Sequence, residues 1–130
     1  MSTTNIEAAL HDVLFRPDLD LQEAIDRHFS PEYRQRTDGQ WTNRAEFVEH
    51  MAHLRSVVAS GGLEVHEELT QGNLYADRHT VSVVKTDGTT VRTEVYLFAE
   101  FAPDGRFLRV EETTLMLEGH ERDRNLGSAR

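Results

Sequence analysis

The spacing of apolar residues along the chain changes once, from a helical period to a strand period. Up to about residue 61, apolar side chains recur every three or four positions, as on one face of a helix. From residue 62 onward, apolar and polar positions alternate, which is typical of strands with one buried face. The pattern predicts three helices followed by four strands in an antiparallel meander. The helices are expected at about 4–15, 19–29 and 43–60, and the strands at about 63–69, 74–85, 89–101 and 107–117.

The helix ends carry signals of their own. Thr3 or Thr4 is the expected N-cap of the first helix, and Thr42 or Asn43 is the expected N-cap of the third. Short polar side chains at these positions bind backbone N–H groups that the helix leaves unpaired. The pair Gly61-Gly62 is expected to end the third helix, because glycine readily ends a helix.

The predicted strand 89–101 has apolar residues on both faces. Val95 and Leu97 lie on one face, whereas Tyr96 and Phe98 lie on the other. Three helices can cover only one face of a sheet, so the second face is expected to pack against a second copy of the chain. The alternative is that Tyr96 and Phe98 lie on an exposed sheet face and pack only against their neighbours. The pattern favours a homodimer formed through the outer sheet face.

Composition narrows the class of protein. A chain of 130 residues is expected to form one domain, here 1–118, with a frayed polar tail at 119–130. The net charge of −9, without a basic cluster, argues against nucleic acids and anionic membranes as partners. The absence of cysteine excludes disulfides and thiolate metal sites. No apolar run reaches the roughly 18 residues of a membrane span and no signal peptide is visible, so a cytoplasmic location is expected.

Three short stretches carry a resemblance to a known family: residues 28–39 (HFSPEYRQRTDG), 44–47 (RAEF) and 104–107 (DGRF). With the order of helices and strands, they resemble the SnoaL-like branch of the nuclear transport factor 2-like superfamily, over about residues 5–118. The resemblance implies a cystatin-like α+β cone, in which a curved antiparallel sheet has three N-terminal helices packed in its concavity. That family includes ketosteroid isomerase, scytalone dehydratase, limonene epoxide hydrolase, polyketide cyclases and many proteins without known activity. It therefore implies a pocket for a small apolar molecule.

Glu112 is the predicted pocket carboxylate. Glu111 and Glu112 are neighbours on the last predicted strand, so they must point to opposite faces. Glu112 alternates in step with Val110 and the apolar start of the strand, so it is expected to face the interior. A carboxyl group in an apolar pocket has a raised pKa and can act as a base or a neutral donor. The alternative is a structural ion pair between Glu112 and an arginine such as Arg78 or Arg109.

The resemblance to the epoxide hydrolase branch adds candidate residues. Tyr33 and Gln35 match the Tyr and Asn that hold a water molecule in that branch, Arg78 matches its Arg, and Glu112 matches one of its two Asp. The other Asp position corresponds to Thr80. Threonine cannot replace a carboxyl group that protonates an epoxide, so this departure argues against epoxide hydrolysis.

Histidine is the other candidate acid–base group. Arg36 stands where the family usually has histidine, which argues against a dehydratase or cyclase that depends on that histidine. His28 and His50 lie on apolar helix faces and are expected to point inward, either as core residues or as acid–base groups. His79 and Arg78 are adjacent on a strand, so only one of them can face the pocket.

Two further residues have competing interpretations. Asp38 lies near the position of the base in ketosteroid isomerase, but Asp38-Gly39 is also an ordinary turn pair, which we prefer. Trp41, the only tryptophan, either lines the pocket mouth and stacks on a flat ligand or packs on the third helix.

These arguments give one set of expected site residues. The catalytic residues are Glu112 as base or proton shuttle, with His50 and Tyr33, and the ligand-binding residues are Gln35, Trp41, Arg78 and Tyr96. No cofactor and no metal are expected. The expected function is binding of a small apolar molecule, with cofactor-free acid–base catalysis (isomerase, cyclase or dehydratase) on a cyclic ligand if the protein is an enzyme. The alternatives are a non-catalytic binding or dimerisation module and an epoxide-hydrolase-like enzyme.

Overall fold

The computed structural model describes residues 2–123. Its helices are α1 (Ile6–Leu14), α2 (Leu21–His28) and α3 (Arg44–Val57), with a short 3₁₀ helix at Glu121–Asp123. Its strands are β1 (Phe29–Thr37), β2 (Gln40–Asn43), β3 (Val58–Gln71), β4 (Leu74–Lys85), β5 (Thr90–Phe101) and β6 (Phe107–Glu118). The predicted α+β fold, with three helices against one curved sheet, is confirmed.

The sheet has six strands in the order β2-β1-β6-β5-β4-β3, and it does not close on itself. Strands β3 to β6 form the predicted antiparallel meander. The expectation of a wholly antiparallel sheet is wrong at one pairing, because β1 runs parallel to β6. The polar segment after α2, expected to connect two helices, is therefore a strand in the sheet.

Two helix ends differ from their predictions. Asn5, rather than Thr3 or Thr4, caps α1, since its Oδ1 accepts a hydrogen bond from the backbone N of Ala8 at 2.8 Å. Helix α3 begins as predicted, with Asn43 and Glu46 bonding each other's backbone N–H groups in a capping box. It ends at Val57 instead of at Gly61-Gly62, and both glycines lie within β3.

The core lies between the helices and the inner face of the sheet. Apolar side chains of α1, α2 and α3 meet alternate residues of β5, including Val95 and Leu97. The rings of Phe29, Tyr75, Phe101 and Phe107 pack within 6 Å of a neighbour and fill one end of the core. On the outer face Tyr96 is 55% exposed and Phe98 is 69% exposed, as the alternation of β5 predicts for a single chain.

The C-terminal segment is more ordered than the sequence suggests. Residues 121–123 form one 3₁₀ turn, and Asp123 is buried and accepts a hydrogen bond from Nζ of Lys85 at 2.7 Å. The prediction of a frayed tail is therefore wrong for residues 121–123. The rest of that predicted tail, 124–130, lies outside the described residues. No helix within residues 2–123 has the length and apolar character that a membrane crossing requires.

Candidate functional site

A cavity of about 110 Å³ lies between α1, α3 and the inner face of β4, β5 and β6. Most of its wall is apolar: Leu10, Leu14, Met51, Leu54, Val81, Val83, Val91 and Val95. Its polar side chains are His50, His79, Thr93, Glu112 and Thr114. Two of the predicted catalytic residues, Glu112 and His50, thus line one cavity. Its apolar walls make any charge inside it costly unless that charge is bonded.

The parallel pairing of β1 with β6 determines what holds Glu112. Thr37 is paired with Glu112 across the two strands, so both side chains point to the same face. Oγ1 of Thr37 donates to Oε1 of Glu112 at 3.0 Å, and Nε2 of Gln35 donates to the same oxygen at 3.2 Å. Both hydrogen bonds are therefore made to Oε1, and Oε2 is the oxygen available for proton transfer.

Behind this carboxylate lies a chain of hydrogen bonds along the inner face of β1. The Tyr33 hydroxyl donates to Oε1 of Gln35 at 2.6 Å, and Nε2 of Gln35 also donates to Oγ1 of Thr37 at 2.7 Å. Burial, followed by the nearby charge of Glu112, holds the pKa of Tyr33 well above its ordinary value. Tyr33 therefore stays protonated and orients Gln35, which in turn holds Glu112.

The charge state of Glu112 is balanced near neutral pH. Burial is the largest influence and raises the pKa of its carboxyl group to about 7. The hydrogen bond from Thr37 and the nearby imidazole of His79 act in the opposite direction, because both favour the carboxylate. A group with this pKa can both take and give a proton under physiological conditions.

We expect Thr37→Val to raise the pKa of Glu112 further, by roughly one unit, since a hydrogen bond to a charged group contributes about 1.5–3 kcal/mol. Valine keeps the shape of threonine but has no donor for the carboxylate. The pKa can be measured by titrating the ¹³C signals of glutamate carboxyl groups by NMR. Thr37→Ser is the matched control and should keep the pKa near that of the wild type. Equal values in the two variants would show that Thr37 does not control Glu112.

A second acid–base group, which the sequence interpretation did not select, is His79 with Asp77. Both side chains point inward from β4 and both residues are buried. Nδ1 of His79 lies 3.0 Å and 3.1 Å from the two carboxylate oxygens of Asp77. Because the carboxylate accepts, Nδ1 carries the proton, and the ring of His79 lines the cavity. Within residues 2–123 no three His, Asp or Glu side chains come close enough to hold a metal ion.

Three of the predicted ligand-binding residues do not reach the cavity. Arg78 lies on the outer sheet face, where it pairs with Glu67 and Glu94 at 3.2 Å and 3.3 Å. Tyr96 lies on the same outer face. Trp41 lies at the sheet edge, 47% exposed, beneath the guanidinium group of Arg34. The inward placement expected of Arg78 is wrong, and Tyr96 and Trp41, expected as ligand-binding residues, do not line this cavity.

Three other residues considered in the sequence analysis also lie away from the cavity. Arg36 points outward, so histidine at that position would not lie in this cavity either. Thr80, matched above to a catalytic carboxylate, bonds His66 away from the cavity wall, and its inward neighbour is His79. His28 points inward but lies elsewhere, bonded to Asp12 at 2.7 Å.

Tyr33 and Gln35 take a supporting position beneath Glu112, because their polar atoms bond each other and the carboxylate. Asp38 closes the turn after β1, where its carboxylate accepts from the backbone N of Thr114 at 2.8 Å. The turn interpretation of Asp38 fits this position.

The fold and the cavity are those of an α+β protein in which three helices pack on a curved sheet, with a carboxyl group in the cavity between them. The family model described as a SnoaL-like domain matches residues 8–110, so the chain belongs to that family. It is 33% identical over 106 residues to an uncharacterized protein of Schizosaccharomyces pombe. The aligned region covers 82% of this chain and 81% of that protein.

Solved structures of the same fold come from several bacteria. A candidate isomerase of Rhodopseudomonas palustris superposes with a TM-score of 0.68 at 11% identity, over 82% of this chain and 83% of that one. AclR, a candidate hydroxylase of Streptomyces galilaeus, superposes with a TM-score of 0.65 at 19% identity, over 84% of this chain and 75% of that one. IdmH, a candidate polyketide cyclase of Streptomyces antibioticus, superposes with a TM-score of 0.63 at 15% identity, over 85% of this chain and 88% of that one. At these identities the similarity shows the fold alone.

Proposed function

We propose that the protein binds a small apolar molecule in this cavity and moves a proton on it, without a cofactor. The observation that carries the proposal is the position of Glu112, whose carboxyl group lies in an apolar cavity where burial raises its pKa to about 7. A general base is most effective when its pKa lies near the working pH. Among the activities suggested for relatives of the same fold, an isomerase or a cyclase needs this kind of proton transfer.

The arrangement supports a balanced proton transfer. Oε2 of Glu112 takes a proton from a carbon next to a carbonyl group, and the electron pair of that C–H bond moves onto the carbonyl oxygen to give an enolate. His79, which lines the same cavity with its ring oriented by Asp77, can donate from Nε2 to that oxygen when the ring carries both protons, a charge that the Asp77 carboxylate stabilises. Glu112 then returns the proton, to the same carbon or to another one, and the carboxylate is restored. The net reaction is an exchange or an isomerisation.

The size of the cavity limits the ligand. An engineered apolar cavity of roughly 150 Å³ binds benzene, and this cavity measures about 110 Å³. The ligand that fits is therefore a single small ring or a compact branched molecule. A polycyclic polyketide would require the cavity to widen.

The test is deuterium uptake into cyclopentanone, a small ring ketone, followed by NMR in D₂O. The wild type should exchange the protons next to the carbonyl group, and Glu112→Gln should lower the rate by about 10²–10⁴-fold, the usual contribution of a general base. Glu111→Gln is the matched control, because Glu111 is the adjacent carboxylate and pairs with Arg109 outside the cavity. Equal rates in both variants would reject Glu112 as the base. Binding of cyclopentanone without any exchange would instead favour a non-catalytic binding protein.

Epoxide hydrolysis finds less support. In that interpretation Tyr33 and Gln35 would hold a water molecule, yet their polar atoms bond each other, Thr37 and Glu112. The inward position on β4 that would require a second carboxylic acid holds His79.

We also propose that the outer sheet face binds a second copy of the chain. Tyr96, Phe98 and Leu115 are all more than half exposed on neighbouring strands of this face. Phe98→Lys should convert a dimer to a monomer in sedimentation velocity, because it places a charge within the apolar patch. Val84→Lys is the control, since Val84 is also exposed but pairs with Thr90, at the opposite end of β4 and β5 from Phe98. A wild type that sediments as a monomer at all concentrations would contradict the proposal.

A further inference from the structure

A groove of about 400 Å³ on the outside of the molecule shares one residue with the inner cavity. The groove lies between the end of α1 and the start of β3, and its walls include Phe15, Pro17, Val58 and Gly61. Leu14 lines this groove and also lines the cavity that contains Glu112. The side chain of Leu14 therefore stands between the two spaces.

The strand register places Leu14 and Glu112 at opposite ends of the cavity. Glu112 is paired with Leu97 of β5, whereas Val83, next to the groove, is paired with Val91. The residues of β5 that line the cavity run from Val95, near Glu112, to Val91, a span of roughly 13 Å of strand. A ligand whose polar end meets Glu112 therefore extends towards Leu14 as it becomes longer.

Hydrogen bonds hold the backbone around Leu14, so Leu14 keeps its place between the cavity and the groove. Leu14 is the last residue of α1, and Arg55 of α3 binds the end of that helix. The guanidinium group donates to the backbone oxygens of Val13 at 2.6 Å, Leu19 at 2.7 Å and Asp12 at 3.1 Å.

Glycine at position 61 explains how closely the helix end approaches β3. A Cβ at Gly61 would lie 2.8 Å from the ring of Phe15 and 2.4 Å from the backbone oxygen of Ser82. The absence of a side chain lets the Phe15 ring lie directly on β3. The wall of the groove beside Leu14 is therefore closely packed.

We propose that Leu14 is a specificity-determining residue, which divides one channel into an inner cavity and an outer subsite and so sets the length of the ligand. The ligand class that follows is a small ring with a polar group at the Glu112 end and at most a short apolar substituent at the other. Longer substituents meet Leu14 and are excluded from the groove. This inference rests on the proposed function, because it assumes that the cavity binds the ligand.

The experiment measures the binding of a series of 4-alkylphenols, from phenol to 4-hexylphenol, by isothermal titration calorimetry. In the wild type, affinity should fall once the chain reaches Leu14. In Leu14→Ala the affinity should keep rising with chain length. For 4-butylphenol we expect it to be about tenfold higher than in the wild type, because roughly two more methylene groups are buried. Leu10→Ala is the matched control, since Leu10 lies on the same helix and lines the cavity but not the groove. Its gain should stay below about threefold.

Three outcomes would overturn the inference. Equal gains in Leu14→Ala and Leu10→Ala, or a wild type whose affinity rises steadily with chain length, would show that Leu14 does not divide a channel. Failure of phenol to bind all three proteins would contradict the proposed function, and the inference with it. Phenol binding without a difference between the variants would overturn the outer subsite alone. Leu14→Val deletes less volume and provides the same comparison if Leu14→Ala does not fold.

Discussion

Glu112→Gln should make the protein more stable near neutral pH, by roughly 2–3 kcal/mol in free energy of unfolding, while it removes proton transfer. The pKa of Glu112 is raised from 4.5 to about 7 by burial, so the folded protein binds this proton more tightly than the unfolded chain does. Stability from this group is therefore fully present below about pH 4.5 and is lost as the pH rises to about 7. Glutamine does not ionise, so the free energy of unfolding of the variant should not fall over this pH range.

Glutamine also preserves the surrounding hydrogen bonds. Its amide oxygen can accept from Thr37 and Gln35 as Oε1 of Glu112 does. Urea denaturation of both proteins across the pH range gives the measurement, and the two stability curves should meet at low pH and separate as the pH rises. Glu111→Gln should follow the wild-type curve, because Glu111 lies outside the cavity in an ion pair with Arg109, and such partly exposed pairs contribute little to stability. A Glu112→Gln curve parallel to the wild type at every pH would contradict the buried titration.

Phe107→Ala should destabilise the protein by about 3–5 kcal/mol, the usual cost of removing a fully buried aromatic ring. Phe107 is completely buried, and its ring lies within 6 Å of the rings of Phe29, Tyr75 and Phe101. It is also the residue of β6 that pairs with Phe29 at the start of β1. Its loss should therefore weaken the one parallel pairing of the sheet more than the antiparallel pairings.

Two measurements check this prediction. Chemical denaturation gives the stability, and hydrogen exchange of backbone amides should show the greatest loss of protection in β1, near Tyr33 and Gln35. Trp41→Ala is the control, since it deletes a larger ring that is half exposed, and its cost should stay near 1 kcal/mol. A uniform loss of protection over the whole sheet would show that Phe107 supports the core in general and β1 no more than its other parts.

Much of the fold could be predicted because β4, β5 and β6 follow the alternation rule, whereas a register shift between Val65 and Glu67 interrupts it in β3. The inward and outward sets of β5 were correct, and the start of α3 at Asn43 was correct. Strand β1 could not be found in this way, because its inward positions Gln35 and Thr37 are themselves polar and give no apolar alternation. Their burial depends on Glu112, a partner that is distant in the sequence.

Alternation along the strands also explains which residues of the candidate site could be predicted. Glu112 was correctly placed on the inner face, because it alternates with Val110 on β6. The same count applied to β4 would have favoured His79 over Arg78, since His79 shares its face with Val81 and Val83. The match to the epoxide hydrolases favoured Arg78 instead, and a shift of one residue in a strand moves a side chain to the opposite face.

The pairing of β1 with β6 has a consequence for the newly synthesised chain. Thr37 and Glu112 are in contact across 75 positions of sequence, and Gln35 and Glu112 across 77. During translation β1 leaves the ribosome long before its parallel neighbour exists, so one of its edges waits without a partner. A shortened chain that stops before β6 would lack the strand that joins β1 to β5, so its sheet would be divided in two and the carboxylate site could not form. The proposed acid–base site can therefore form only after β6 has been synthesised.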